Sequence, residues 1–286
     1  MTTSTPDPNA AHRAVMRQNL DHAAAVLGVE IADGVAWGWR DRSIGAHVTN
    51  DRGDWWLRVV RELTAWTGGD FWRGNAEATA ITGVPKPAVT WIEEWDDGDV
   101  QFRAELMTLI RAHRCAATEP LRDTITLSDT WWSTLRHSVD RVANWPTDRT
   151  CLDQETVTRR LLAFYGPEVD ATVTAWTTAH GDLHWANVTE PQCYILDWEG
   201  WGLAPLGYDA ATLYCHSLLV PAVARRVHET FTDILDSEPG RLAQLYTITR
   251  LLLRIEDGDY PDLAGPLHEH LGDLLLGSRG TGCRSK

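Results

Sequence analysis

Between positions 180 and 197 the chain sets His180, Asp182, Asn187 and Asp197 within the runs HGDLHWANV and CYILDWE. The spacing is H-x-D-x-x-x-x-N followed by an aspartate at the end of an apolar segment. Such a set suits phosphoryl transfer. One carboxylate must orient and deprotonate an acceptor hydroxyl, while an amide oxygen and a second carboxylate hold Mg²⁺ against nucleotide phosphates. Asp182 takes the part of the base, and Asn187 and Asp197 those of the metal ligands. A hairpin between the two ligands would bring them together despite their separation along the chain. His180 needs only a neutral ring to hydrogen-bond the backbone and steady the loop. Seen singly, these residues are turn formers and a satisfied histidine. An alternative hydrolase built on Asp182 and His184 lacks a G-x-S-x-G nucleophile elbow.

The elements that must position this turn fall into two groups. AHRAVMRQNLDHAAAVLG reads as a helix closed by Gly28, after which VAWGWRDR, IGAHVTN and DWWLRVVRE alternate apolar and polar residues as strands, with NDRGD as a hairpin turn. GDFWRGNAEATAITG predicts a helix ending at Gly83, and KPAVTWIEEW and VQFRAELMTLI predict two further strands joined by DDGD. Beyond Arg111 the period becomes helical. Leu127, Trp131, Leu135, Val139 and Val142 recur at three- and four-residue spacing behind a Ser128 cap, as a core face. DQETVTRRLLAFYG, YDAATLYCHSLLVPAVARRVHETF and GRLAQLYTITRLLLRIEDG continue as helices. The expectation is an α+β chain, with a β-rich N-terminal part over residues 1–107 and a larger, mostly helical part over 108–286.

Composition narrows the function classes. A net charge of −14 disfavours nucleic acid and favours a cationic small molecule. Lysine occurs only at Lys86 and Lys286, so any phosphate-binding role falls to Lys86 or an arginine. Cys115, Cys151, Cys193, Cys215 and Cys283 lack paired CxxC spacing, which argues for idle thiols in a reducing cytoplasm rather than zinc or disulfides. No apolar signal core and no run of about 18 apolar residues is present, so no membrane role is expected.

HGDLHWANV followed by YILDWEGWG resembles the catalytic segment of the aminoglycoside phosphotransferase and choline kinase superfamily, and the resemblance extends over roughly residues 30–275. It implies a protein-kinase-like two-lobe fold, dependence on ATP (or GTP) and Mg²⁺, and a small-molecule hydroxyl as acceptor. By the same resemblance, a basic residue on the third strand meets the phosphates. DWWLRVV supplies Arg58 where lysine is the rule, an exchange that is not conservative. Glu77 is the helix acid expected to pair with it, and Lys86 in GVPKPAV is the rival phosphate binder. GWRDRSIGAHV offers only Gly38 and Gly45 rather than G-x-G-x-x-G, with Ser43 and nearby N–H groups to cover the phosphates. Met107 and Thr108 match the hinge where adenine meets backbone.

The acceptor of such kinases binds in the helical part. Glu199, Asp209, Glu256 and Asp257, with Asp259, are the acids that would hold a cationic acceptor. Trp185, Trp198 and Trp201 are candidates to stack on it. An aminoglycoside or cationic peptide antibiotic is the leading substrate class; a metabolic kinase for choline, an amino alcohol or a sugar, and a pseudokinase-like binding protein, are the alternatives.

Overall fold

The structure, a computed structural model, describes residues 9–279; Cys283 and Lys286 lie outside them. The described residues divide into two compact units. One runs to Ala80 and resumes over Lys86–Arg111; the other joins Ile81–Pro85 to Ala112 and beyond. The sequence placed one boundary at 107. The detour of residues 81–85 has a local cause, since Arg141 Nε donates to the Thr82 carbonyl at 3.0 Å and Ile195 N–H donates to the Pro85 carbonyl at 2.9 Å.

In the first unit, α1 (Ala10–Leu27) ends where Gly28 adopts φ 63° and returns its N–H to the carbonyls of Ala24 and Ala25. That left-handed cap suits a residue without Cβ. Met16, Leu20, Ala23 and Ala24 form one buried stripe, the spacing of a helix laid on a sheet. The sheet contains β1 (Glu30–Trp37), β2 (Ser43–Asn50), β3 (Gly53–Leu63), β4 (Val89–Asp97) and β5 (Val100–Thr108), in the order β1-β2-β3-β5-β4 and antiparallel throughout. Ile44, Ala46, Val48, Leu57, Val59, Phe102 and Ala104 alternate into the core beneath α1. The short helix α2 (Asp70–Ala78) stops before the expected Gly83.

Gly45 sits inside β2, not in a phosphate-covering loop. A Cβ there would lie 2.6 Å from the Trp56 ring across the strand pair. The connection from Gly38 to Arg42 is instead a tight turn with Arg40 and Asp41 at positive φ. Asp41 is buried and fastened to α1, accepting from Arg13 Nε at 2.8 Å.

The second unit is mostly helical: α3 (Asp129–Ala143), α4 (Gln154–Tyr165), α5 (Tyr208–Cys215), α6 (Pro221–Thr230), α7 (Thr232–Leu235), α8 (Glu238–Glu256) and α9 (Ala264–Arg279). Two small strand pairs complete it, β6 (His113–Arg114) with β8 (Thr189–Glu190), and β7 (Trp176–Ala179) with β9 (Gly202–Pro205). Ser128 caps α3 by accepting from Trp131 N–H. The run YDAATLYCHSLLVPAVARRVHETF breaks into α5 and α6 because Pro221, which lacks an N–H, starts a new helix at its first turn. The apolar segment CYILDWE forms no strand of its own and contributes a single bridge, between Val188 and Ile195. Among the described residues, no helix is long and apolar enough to cross a membrane.

Candidate active site

The HGD turn follows β7 directly and is held from below by α5. Asp209, in the first turn of that helix, accepts from the N–H groups of His180 at 2.7 Å and Gly181 at 3.0 Å. It is almost fully buried, and burial raises its carboxyl above the ordinary value. Asp209 therefore supports the loop; its burial removes it from the acids expected to meet a substrate. His180 is also buried, and its Nε2 donates to the Leu196 carbonyl at 2.9 Å, tying the turn to the segment that carries Asp197. Gly181 cannot be replaced cheaply. At φ 88° a Cβ would lie 2.6 Å from the Gly200 carbonyl oxygen.

Asp182 keeps 37% of its side chain exposed while both carboxylate oxygens find partners. Arg250 Nη2 donates to Oδ1 at 3.1 Å, and His184 Nε2 donates to Oδ2 at 3.2 Å. Burial alone would raise this carboxyl, but the charges and hydrogen bonds of His184 and Arg250 together outweigh it and hold the group far below the usual carboxylate range. Asn187 Nδ2 donates to the Asp182 carbonyl at 3.0 Å.

The hairpin closes as its sequence suggests. Leu196 N–H donates to the Asn187 carbonyl at 2.8 Å and Thr189 N–H to that of Tyr194 at 3.1 Å. Asp197 follows at φ 61°, a left-handed turn that leaves its side chain exposed. Among the described residues its carboxylate has no hydrogen-bond or ion-pair partner. The two oxygen donors, Asn187 and Asp197, suit Mg²⁺, which is commonly held by one or two carboxylates with phosphates and water completing its shell. Among the described residues no group of three or more His, Cys, Asp or Glu side chains is placed to hold a metal.

The three tryptophans near the turn are core residues, contrary to the stacking role expected of them. Trp185 is fully buried, stacks on Trp131 at 6.1 Å and donates from Nε1 to Ser217 Oγ at 2.9 Å. Trp198 donates to the Ile195 carbonyl and meets His180 edge-on. Trp201 is buried beneath the Arg149 guanidinium, which lies 4.5 Å over its ring. Arg149, itself buried, also donates to the carbonyls of Trp201 and Glu199. Nothing in its sequence surroundings announces that role.

Other acids divide by exposure. Glu199 is half-buried, while Glu256 and Asp257 are exposed at the end of α8. Asp259 is paired with Arg254 at 3.0 Å. Arg254 also bonds Glu119, to which the Tyr260 hydroxyl donates as well. Behind the turn, His216 Nδ1 donates to the Thr212 carbonyl at 2.7 Å, and burial with the neighbouring His184 pushes its ring down to about 3.

In the first unit, Arg58 on β3 stands directly opposite Glu105 on β5, with Nη1 3.5 Å from Oε2. Glu105 is 1% exposed and also accepts from Asn75 at 3.0 Å and Arg103 at 2.9 Å. Arg103 in turn bonds Glu94. Glu77 pairs with Arg73 at 3.2 Å on the surface of α2. Lys86 is half-buried, and burial lowers its ammonium from the ordinary value. Met107 and Thr108 end β5, and Thr108 has its N–H committed to the Ala88 carbonyl at 3.0 Å. Ser43 opens β2, with its carbonyl accepting from Gly38 N–H at 2.9 Å.

No protein-family model matches the sequence, and no curated protein matches it. Solved structures do match. The chain is similar to aminoglycoside phosphotransferase APH(4)-Ia at 12% identity and a TM-score of 0.60, covering 92% of this chain and 99% of that one. It is also similar to amicoumacin kinase hAmiN in complex with AMP-PNP, Ca²⁺ and Ami, at 13% identity and 0.54, over 92% and 95% of the two chains. Spectinomycin phosphotransferase APH(9)-Ia in complex with ADP and spectinomycin matches at 13% and 0.54, over 90% and 92%. The chain has the protein-kinase-like α+β fold of the aminoglycoside phosphotransferases.

Proposed function

We propose, on the premise of that fold, that the chain is an O-phosphotransferase moving the γ-phosphoryl group of ATP or GTP to a hydroxyl of a small molecule. The acceptor class we infer is a cationic antibiotic, an aminoglycoside or cationic peptide, and the role is resistance or self-protection. One observation carries the reading: the Asn187–Leu196 pairing brings the exposed Asp197 carboxylate, without a partner among the described residues, back to the loop that presents Asp182.

Asp182 receives the acceptor hydroxyl on the lone pairs that Arg250 and His184 leave open. A carboxylate held so far below its usual range is a weak base, so its first task is to orient the hydroxyl, with the proton transferred late along the reaction path. His180 and Asp209 keep that loop in register. Asn187 and Asp197 would hold Mg²⁺, which when bound neutralises charge on the nucleotide phosphates. Arg58, braced across the sheet by Glu105, is our choice for the α- and β-phosphates. Glu199, Glu256 and Asp257, on a chain of net charge −14, would attract the acceptor's ammonium groups.

The test is Mg²⁺-dependent ADP release by the purified chain against aminoglycosides, cationic peptide antibiotics, choline and simple sugars, with mass spectrometry for a phosphate adduct. An adduct on an antibiotic is the expected result. An adduct on choline or a sugar alone overturns the acceptor class, and failure to bind nucleotide overturns the function.

A further inference from the structure

Arg250 lies well inside α8, in the run ITRLLLRIE, where its neighbours Ile248, Thr249, Leu251 and Leu252 are buried. A charged side chain in such a place needs partners. It has two that matter here. Nη2 donates to Asp182 Oδ1 at 3.1 Å, and Nη1 donates to the Tyr208 hydroxyl at 2.8 Å. Tyr208 is buried against Tyr246, which lies one helical turn before Arg250. Tyr208 also immediately precedes Asp209, the residue that holds the backbone of the HGD turn. The guanidinium is thereby fixed between a helix and the N-terminus of α5 before any ligand arrives.

The carboxylate of Asp182 is consequently gripped from two sides, Oδ1 by Arg250 and Oδ2 by His184. Two donors on different oxygens define the plane of a carboxylate; one donor leaves it free to turn about its last bond. We propose that Arg250 is a positioning residue for the transfer reaction. It acts through Asp182, setting the plane in which the remaining lone pairs meet the attacking hydroxyl, and this role rests on the kinase reading above. A planar fork that bonds Tyr208 and Asp182 at once is a task for arginine and not for the single ammonium of lysine.

The experiment measures kcat, the KM for ATP and nucleotide affinity for Arg250→Ala and Arg250→Lys beside the parent and Asp182→Asn. In Arg250→Ala, kcat should fall about 10²-fold, the cost of misplacing a reacting group by roughly an ångström. The KM for ATP and the nucleotide affinity should stay within about threefold, within the spread of neutral substitutions. Added guanidinium should restore part of the rate, and Arg250→Lys should restore less than the parent's. A residue that serves packing alone would lower yield or melting temperature without this split. Parent-like kcat in Arg250→Ala, or a loss of nucleotide affinity equal to the loss of kcat, overturns the assignment. A parent enzyme that transfers phosphate while Asp182→Asn does so equally well overturns the base assignment instead. A parent that transfers none to any acceptor overturns the kinase reading, and with it the role given to Arg250.

Discussion

The turn around Asp182 and the cluster around Glu105 are both polar groups set into apolar surroundings, and they are built in opposite ways. In the turn, His180, Asp182, Asn187 and Asp197 come from one stretch of chain, and remote residues such as Asp209 and Arg250 secure it. In the sheet, Arg58, Glu94, Arg103 and Glu105 come from β3, β4 and β5 and meet because neighbouring strands put them side by side, with Asn75 reaching Glu105 from α2. A site drawn from one loop can leave its carboxylates open to a ligand, as with Asp197. A site drawn across strands is compensated internally, so that Glu105 has no exposed face. The first arrangement is suited to react and the second to hold a charge still.

The largest effect that would break this contrast concerns Asp182. Asp182→Asn should lower kcat by about 10²–10⁴-fold, the range for a lost general base, with nucleotide binding kept. Single-turnover transfer and nucleotide titration check it, and a fully active variant would refute the assignment. Next is Glu105→Ala, which leaves Arg103 and Arg58 facing each other without their shared anion. Removing one partner of a buried pair costs about 3–5 kcal/mol, so chemical denaturation should show a loss of that size. Where the variant still folds, its KM for ATP should rise. An unchanged denaturation midpoint would show that the cluster holds nothing.

Legibility followed the same division. The turn could be read because its residues lie close in sequence and a hairpin was the shortest way to join Asn187 to Asp197. Helix caps at Ser128 and Gly28 were readable for the same local reason. The Arg58 to Glu105 contact could not be read, because strand register between β3 and β5 is set by packing and not by spacing. The family resemblance pointed to Glu77, a helix acid that the structure pairs with Arg73. Tryptophans beside the turn misled in the other direction, since proximity in sequence to Asp182 and Asp197 says nothing of which way a ring faces. Arg250 did leave a signal, a cation set among apolar residues of a helical run. Arg149 left none.

Asp209→Asn tests the support beneath the turn. An amide offers one acceptor where the carboxylate offers two, so one of the N–H groups of His180 or Gly181 would lose its partner. Hydrogen bonds to a charged group contribute about 1.5–3 kcal/mol, and a stability loss of that order should accompany a lower kcat. Faster hydrogen exchange at the amides of residues 180–182 would locate the damage. Parent-like exchange there would show that His180 alone, through Leu196, holds the turn.

The smallest effect belongs to the exposed acids at the end of α8. Glu256 and Asp257 stand in solvent, so Glu256→Gln with Asp257→Asn should change stability by less than about 0.5 kcal/mol. Their contribution, if the acceptor is cationic, is to draw it in. Exposed charge pairs contribute about 0.2–1 kcal/mol each, which predicts a rise in acceptor KM of a few-fold in dilute buffer with kcat unchanged. Screening shortens with salt, to about 3 Å at 1 M, and the difference between variant and parent should vanish as salt is raised. A KM difference that persists at high salt would mean direct, desolvated contact with the acceptor. No difference at any ionic strength would leave Glu199 as the remaining acid of the predicted set, and would bring the exposed end of α8 closer to the Glu105 cluster in character: charge that serves the protein and not a ligand.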